Sequence, residues 1–196
     1  MTDRERDRRI TDVGTLKALA HPLRMKLYRA LTIARTATAS QLAEQVDEAV
    51  SLVSYHLRKL AEHELIEEAG TQSADGRERW WQPASEGLSV HDEDFRDAPE
   101  KAAAHTAASR LFFEQRADMY RRFLDERAHW GAAWNTASDS SEWLLRLTPD
   151  ELAELSKKMY ALVRTYEERG RAAVAAGDTE GRENVAVHTY GFPFRT

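Results

Sequence analysis

Between residues 51 and 59 the chain carries Ser51, Ser54, Tyr55, His56, Arg58 and Lys59. Their hydroxyl, phenol, imidazole, guanidinium and ammonium groups are the kind that read base edges and neutralise phosphates on a duplex. Val53, Leu57 and Leu60 are interleaved with them at helical spacing, so a helix here would turn the apolar trio inward and leave polar side chains on or near the opposite face. A major groove about 12 Å wide admits one such helix. His56 is assigned to DNA because its neighbours Tyr55 and Lys59 are too polar for a core face, with a packing or capping role as the alternative. A second set of cations lies where Arg77, Arg79 and Trp81 alternate with Glu78, Trp80 and Gln82, the period of a strand. Preceded by Ala74-Asp75-Gly76 as a turn and by Ile66 to Thr71 as an extended run, this segment predicts a hairpin with a cationic tip. Arg77 and Arg79 would then reach phosphates or a narrow minor groove, while Trp80 and Trp81 pack the hairpin, one over the core and one partly exposed.

The elements that must position these groups are legible upstream. Val13, Leu16, Leu19 and Ala20 share one face of a first helix that Thr11 or Asp12 can cap. Pro22 opens a second helix whose stripe is Leu23, Leu27, Ala30, Leu31 and Ala34, which leaves Arg24, Lys26 and Arg29 off the core. Thr38 or Ser40 can cap a short third helix with Leu42, Ala43 and Val46 inside. A turn at 47–50 follows, and Ser51 starts the fourth helix. Two short helices joined by a tight turn, then a cationic hairpin, give the outline of a winged helix-turn-helix. Arg24 joins the candidate DNA contacts.

Composition bounds the alternatives. The 196 residues are 42% hydrophobic, enough to bury a core, and 28 Lys plus Arg against 33 Asp plus Glu leave a net charge of −5. Any nucleic-acid surface must therefore be local. With no cysteine there is no disulfide, no thiolate metal ligand and no cysteine nucleophile, and a reducing, cytoplasmic setting fits. No apolar run is long enough to span a membrane. The chain has no Gly-x-Ser-x-Gly elbow, phosphate loop or two-histidine zinc motif, so a binding protein is expected rather than an enzyme.

The runs LKALAHPLRMKLYRAL, ASQLAEQVDEAVSLVSYHLRKLAEHELIEEA and GRERWWQP resemble the winged helix-turn-helix repressors of the ArsR type, over a little over a third of the chain from Val13 to about Ser85. His21-Pro22-Leu23-Arg24 matches the family's entry into the second helix, and Val53-Ser54-Tyr55-His56-Leu57 matches its recognition-helix signature. The resemblance implies a DNA-binding homodimer, a palindromic operator and repression relieved by a signal. Two departures stand out. Founding members bind metal through cysteines on the third helix, which this chain lacks, and Glu64 stands where the family commonly has Gly.

The expected fold is mainly α with small β: a mobile charged arm at 1–10, a winged helix-turn-helix at 11–88, and a helical region at 89–196 that dimerises. That last region is expected to hold a long helix from about Pro99 to Trp130, a loop from Gly131 to Ser141, and a helix from Pro149 to about Ala176. Leu152, Leu155, Met159, Leu162 and Tyr166 of the latter repeat at 3, 4, 3 and 4, the rhythm of paired helices. Trp143 to Leu147 and Val185 to Tyr190 are read as a short two-stranded sheet. Phe112, Met119, Phe123, Trp130 and Trp134 form an aromatic seam, read as a dimer core or as the wall of a pocket for a small apolar effector. The acidic knot His91-Asp92-Glu93-Asp94 is read as solvated, so no metal and no cofactor are expected. The partners expected are double-stranded DNA and a second copy of the chain, with no membrane. The alternative from another class is a protein-interaction module that uses the winged fold as a scaffold.

Overall fold

A computed structural model describes residues 7–70 and 78–195, and its internal contacts divide the chain into two units, Met1–Phe123 and Leu124–Thr196. The predicted turn at 74–76 and Arg77 lie outside the described residues.

In the first unit, α1 (Val13–Ala20) begins where the Asp12 carboxylate accepts the Thr15 amide at 2.7 Å. This satisfies one of the amides a helix start leaves orphaned. Helix α2 (Pro22–Ala34) opens on Pro22 with His21 at its N-cap, because proline lacks only the amide hydrogen that this position does not use. After the two-residue strand β2 (Ala37–Thr38), a capping box between Thr38 and Gln41 starts α3 (Ala39–Val46). Asp47 ends α3 in the left-handed region, and α4 (Val50–Glu62) follows. Leu16, Leu27, Leu31, Leu42, Val53, Leu57 and Leu60 are all fully buried in one core. Each comes from a stripe at helical spacing, and side chains of this size stabilise by roughly 1.5–3 kcal/mol apiece when removed from water.

The wing is a sheet in the order β2-β4-β3, with β3 (Ile66–Glu68) and β4 (Trp80–Pro83) antiparallel and Glu67 opposite Gln82. Trp81 is buried against the core and Trp80 is half-buried, the division expected of the pair.

The arm expected to be mobile is ordered in part. Asp7–Ile10 form β1, which pairs in parallel with β5 (Gly87–Val90), register Ile10 to Val90. Three fixed contacts explain why so charged a segment is held. Ile10 is buried in the core. The Arg8 guanidinium donates to the carbonyls of His63 and Glu64 at the end of α4. Arg9 donates to both Asp94 oxygens and to Glu93, so the acidic knot is an ion-pair partner and not merely a solvated run. Asp92–Asp94 form a single 3-10 turn, after which Phe95 is buried and stacks on His105 at 5.2 Å. Helix α5 (Pro99–Asp125) brings His105, Ala108 and Phe112 to this unit; Ala108 is buried and Phe112 packs against the core.

The second unit corrects several expectations. The long helix ends at Asp125, a 3-10 turn follows at Arg127–His129, and the expected loop contains α6 (Gly131–Ala137). The Asn135 side-chain amide donates to the carbonyls of Arg127 and Gly131, which ties that turn to α6. Helix α7 (Pro149–Ala175) starts, as expected, at a Thr148–Glu151 capping box followed by Pro149. The two predicted strands at 143–147 and 185–190 are absent: both segments are irregular. Alternation supplies one apolar face, but a ribbon with nothing to cover that face is marginal in water, and Trp143, Leu144, Val185 and Val187 are all exposed here.

Candidate nucleic-acid interface

Helix α4 divides its side chains as the spacing predicts. Val53, Leu57 and Leu60 point into the core, while Ser51, Tyr55 and Arg58 are exposed and Ser54 and Lys59 are half-exposed. Tyr55 retains 47% of its accessible surface. The Lys59 ammonium lies 5.9 Å over the Tyr55 ring and 2.7 Å from the Glu62 carboxylate, whose hydrogen bond raises its pKa. Arg79, the described cation of the wing, is exposed, pairs with Glu68 at 3.1 Å and lies over the Trp81 ring at 5.5 Å.

Two of the predicted contacts are placed differently. His56 is only 6% exposed: it is on the inner side of α4, its ring tilted against that of His21 at the α1–α2 junction with centroids 4.7 Å apart. The dull reading of this histidine, as a packing residue, is the one its position matches. Burial, together with neighbouring His21 and Arg24, pushes its pKa down. Arg24 is half-buried and donates to the carbonyls of Ala18 and Lys17, so its guanidinium closes the end of α1 beside the recognition helix.

Other residues at this face escaped the sequence reading. Val50 and Leu52 are exposed on α4, where apolar side chains can meet thymine methyl groups. Their signal was available, since neither falls on the 53, 57, 60 stripe. Arg8 also escaped. It bonds the end of α4 at Glu64, a non-glycine residue with φ of +53°. A glycine there would adopt this conformation without strain.

The five seam residues are divided between the units: Phe112, Met119 and Phe123 in the first, Trp130 and Trp134 in the second. They line neither of two shallow surface clefts among the described residues, one at the α3–α4 turn and one beside Asp92, His105 and Phe113. Among the described residues no group of three or more His, Asp or Glu is arranged to hold a metal ion, and no helix is long and apolar enough to cross a membrane.

Residues 19–69 match a family described as a helix-turn-helix domain. No curated protein matches the chain. Two solved structures of mutant ZitR from Lactococcus lactis are similar in part. One is 19% identical, with 72% of this chain and 74% of that chain covered and a TM-score of 0.27. The other, an apo form, is 20% identical, with 78% and 90% covered and a TM-score of 0.28. The matched segment contains α2 to α4 entire, and with the β2-β4-β3 sheet it makes the first unit a winged helix-turn-helix.

Proposed function

We propose that the protein is a DNA-binding transcriptional regulator of the ArsR type, acting as a homodimeric repressor on a palindromic operator. The observation that carries this reading is α4 itself: one face fully buried, the other offering Ser51, Tyr55 and Arg58 to solvent within a helix-turn-helix domain. In the mechanism, each subunit lays α4 in a major groove. Ser51, Ser54 and Tyr55 meet base edges, Val50 and Leu52 meet methyl groups, and Arg58, Lys59, Arg77 and Arg79 neutralise phosphates. His56 and Arg24 act from behind, by fixing the helix. Two-fold symmetry of the dimer matches two half-sites one helical turn or a multiple apart.

Selection of duplexes from a random-sequence library, followed by binding of the enriched duplex at rising salt, tests this. The expected result is an enriched motif with an inverted repeat and an affinity that falls steeply with salt, as counterion release requires. An unenriched pool with little salt dependence would favour a scaffold that binds proteins instead.

A further inference from the structure

Three rings run in sequence through the helix-turn-helix. His21, at the N-cap of α2, lies 4.7 Å from His56 at an interplanar angle of 39°, and Tyr55 meets His56 edge-on at 5.1 Å and 75°. The series starts at the α1–α2 junction, passes through a buried imidazole, and ends on a phenol in the open. The Nδ1 atoms of both histidines are buried with no hydrogen-bond partner among the described residues. A neutral imidazole can leave an acceptor nitrogen there, but the imidazolium has an N–H on both nitrogens; at His56 that proton finds no acceptor, and at His21 a hydrogen bond to its own backbone offsets only part of the cost of burial. The charged and titratable groups facing the pair are Arg24 from α2, Glu48 from the turn before α4, and Tyr55. Burial and then Arg24 push the His21 pKa down; burial, His21 and Arg24 do the same to His56, against a smaller pull from Glu48.

We propose that His21 and His56 are positioning residues that hold Tyr55 at the DNA-reading face only while both are uncharged, so that acidification weakens sequence-specific binding. The inference rests on the DNA-binding function proposed above. Its sign separates it from ordinary phosphate contact. A histidine touching phosphates would gain its proton more readily near the anion, and binding would tighten as pH falls. A pair whose Nδ1 atoms are both buried and that must stay neutral gives the opposite slope, beginning below the ordinary histidine pKa of about 6.5.

The test uses the full chain and a fluorescent duplex enriched from a random library at about pH 7.5, with a scrambled duplex as control. Between about pH 7.5 and about pH 5.5 the affinity for the enriched duplex should fall about tenfold relative to the scrambled one. In the double variant His21→Gln/His56→Gln that ratio should no longer change with pH, and in each single variant it should change less than in wild type. A wild-type ratio that is constant or rises on acidification, or variant profiles parallel to wild type, would overturn the proposal. Failure to enrich any duplex at the first step would remove the DNA-binding reading, and this one with it; failure at the pH step removes only the role of the pair. Should the variants not fold, histidine ring NMR of the unmodified protein decides. Both rings should titrate below about 6.5, and titration at or above that value contradicts the proposal.

Discussion

At the scale of single residues, the cations expected to meet phosphates already have partners on the same surface. Lys59 pairs with Glu62 and Arg79 with Glu68, and all four side chains are substantially exposed. Exposed pairs of this kind are worth roughly 0–1 kcal/mol, so DNA can displace them, but each carboxylate also repels the backbone it faces. Glu62→Gln should therefore tighten binding to all duplexes by a few-fold, and Lys59→Ala should weaken all of them similarly and make the salt slope shallower by about one unit. Tyr55→Ala should instead change which sequence is enriched. Fluorescence anisotropy with the enriched and scrambled duplexes checks all three. Which side of α4 faces the core was readable from Val53, Leu57 and Leu60, because a full stripe fixes the rotation of a helix. His56 lies three residues after Val53 and four before Leu60, so its spacing puts it on that stripe despite its polar type; what the sequence does not announce is the second imidazole arriving from the α1–α2 junction, 35 residues earlier in the chain.

At the scale of elements, β1 and the end of α4 form one device. Arg8 supplies carbonyl bonds that an αL glycine cap does not need, and it also pairs loosely with the Glu64 carboxylate at 3.5 Å. Replacing Glu64 with Gly removes the cost of a left-handed non-glycine residue, of the order of 1 kcal/mol. Because the lost ion pair is exposed, Glu64→Gly should raise thermal stability, while Arg8→Ala should lower it by about 1–2 kcal/mol through the unpaired carbonyls. Denaturant titration of both variants checks this. In α7 the stripe Leu155, Met159, Leu162 and Tyr166 is open to solvent, with Leu162 and Tyr166 at 60% and 62% exposure. Its spacing suits a second helix lying alongside it. Leu162→Asp should convert a dimer to a monomer in sedimentation, with the helix content unchanged. Capping signals made α3 and α7 legible from sequence. Helix α6 was hidden because Gly131, Asn135 and Thr136 read as loop, and its tie to the preceding turn is a side-chain bond that no periodicity announces. Strand β1 was hidden because its partner β5 lies about 80 residues away, and its charges seemed to preclude order until Glu93, Asp94 and the α4 carbonyls supplied counterparts.

At the scale of the molecule, a net charge of −5 coexists with a few cations on α4 and the wing, Arg58, Lys59 and Arg79, among the carboxylates of Glu62, Glu67 and Glu68. Long-range attraction to DNA is accordingly modest, and the short-range fit of α4 must supply selectivity. The histidine pair, His56 buried and His21 half-buried, also links folding to pH. Because the folded-state pKa values of His21 and His56 are depressed, the unfolded chain binds more protons in acid; their contribution to stability is present above about 6.5 and is lost as pH falls below it. The most direct test of the central claim is a short-range contact map. A photoreactive amino acid is placed in turn at Tyr55 and at Leu162 of the full chain, and each protein is irradiated with the enriched duplex. The account predicts efficient cross-linking to DNA bases from position 55 and none from position 162. No cross-link from position 55 to a duplex the protein demonstrably binds would contradict it, because the exposed face of α4 would then lie away from the groove.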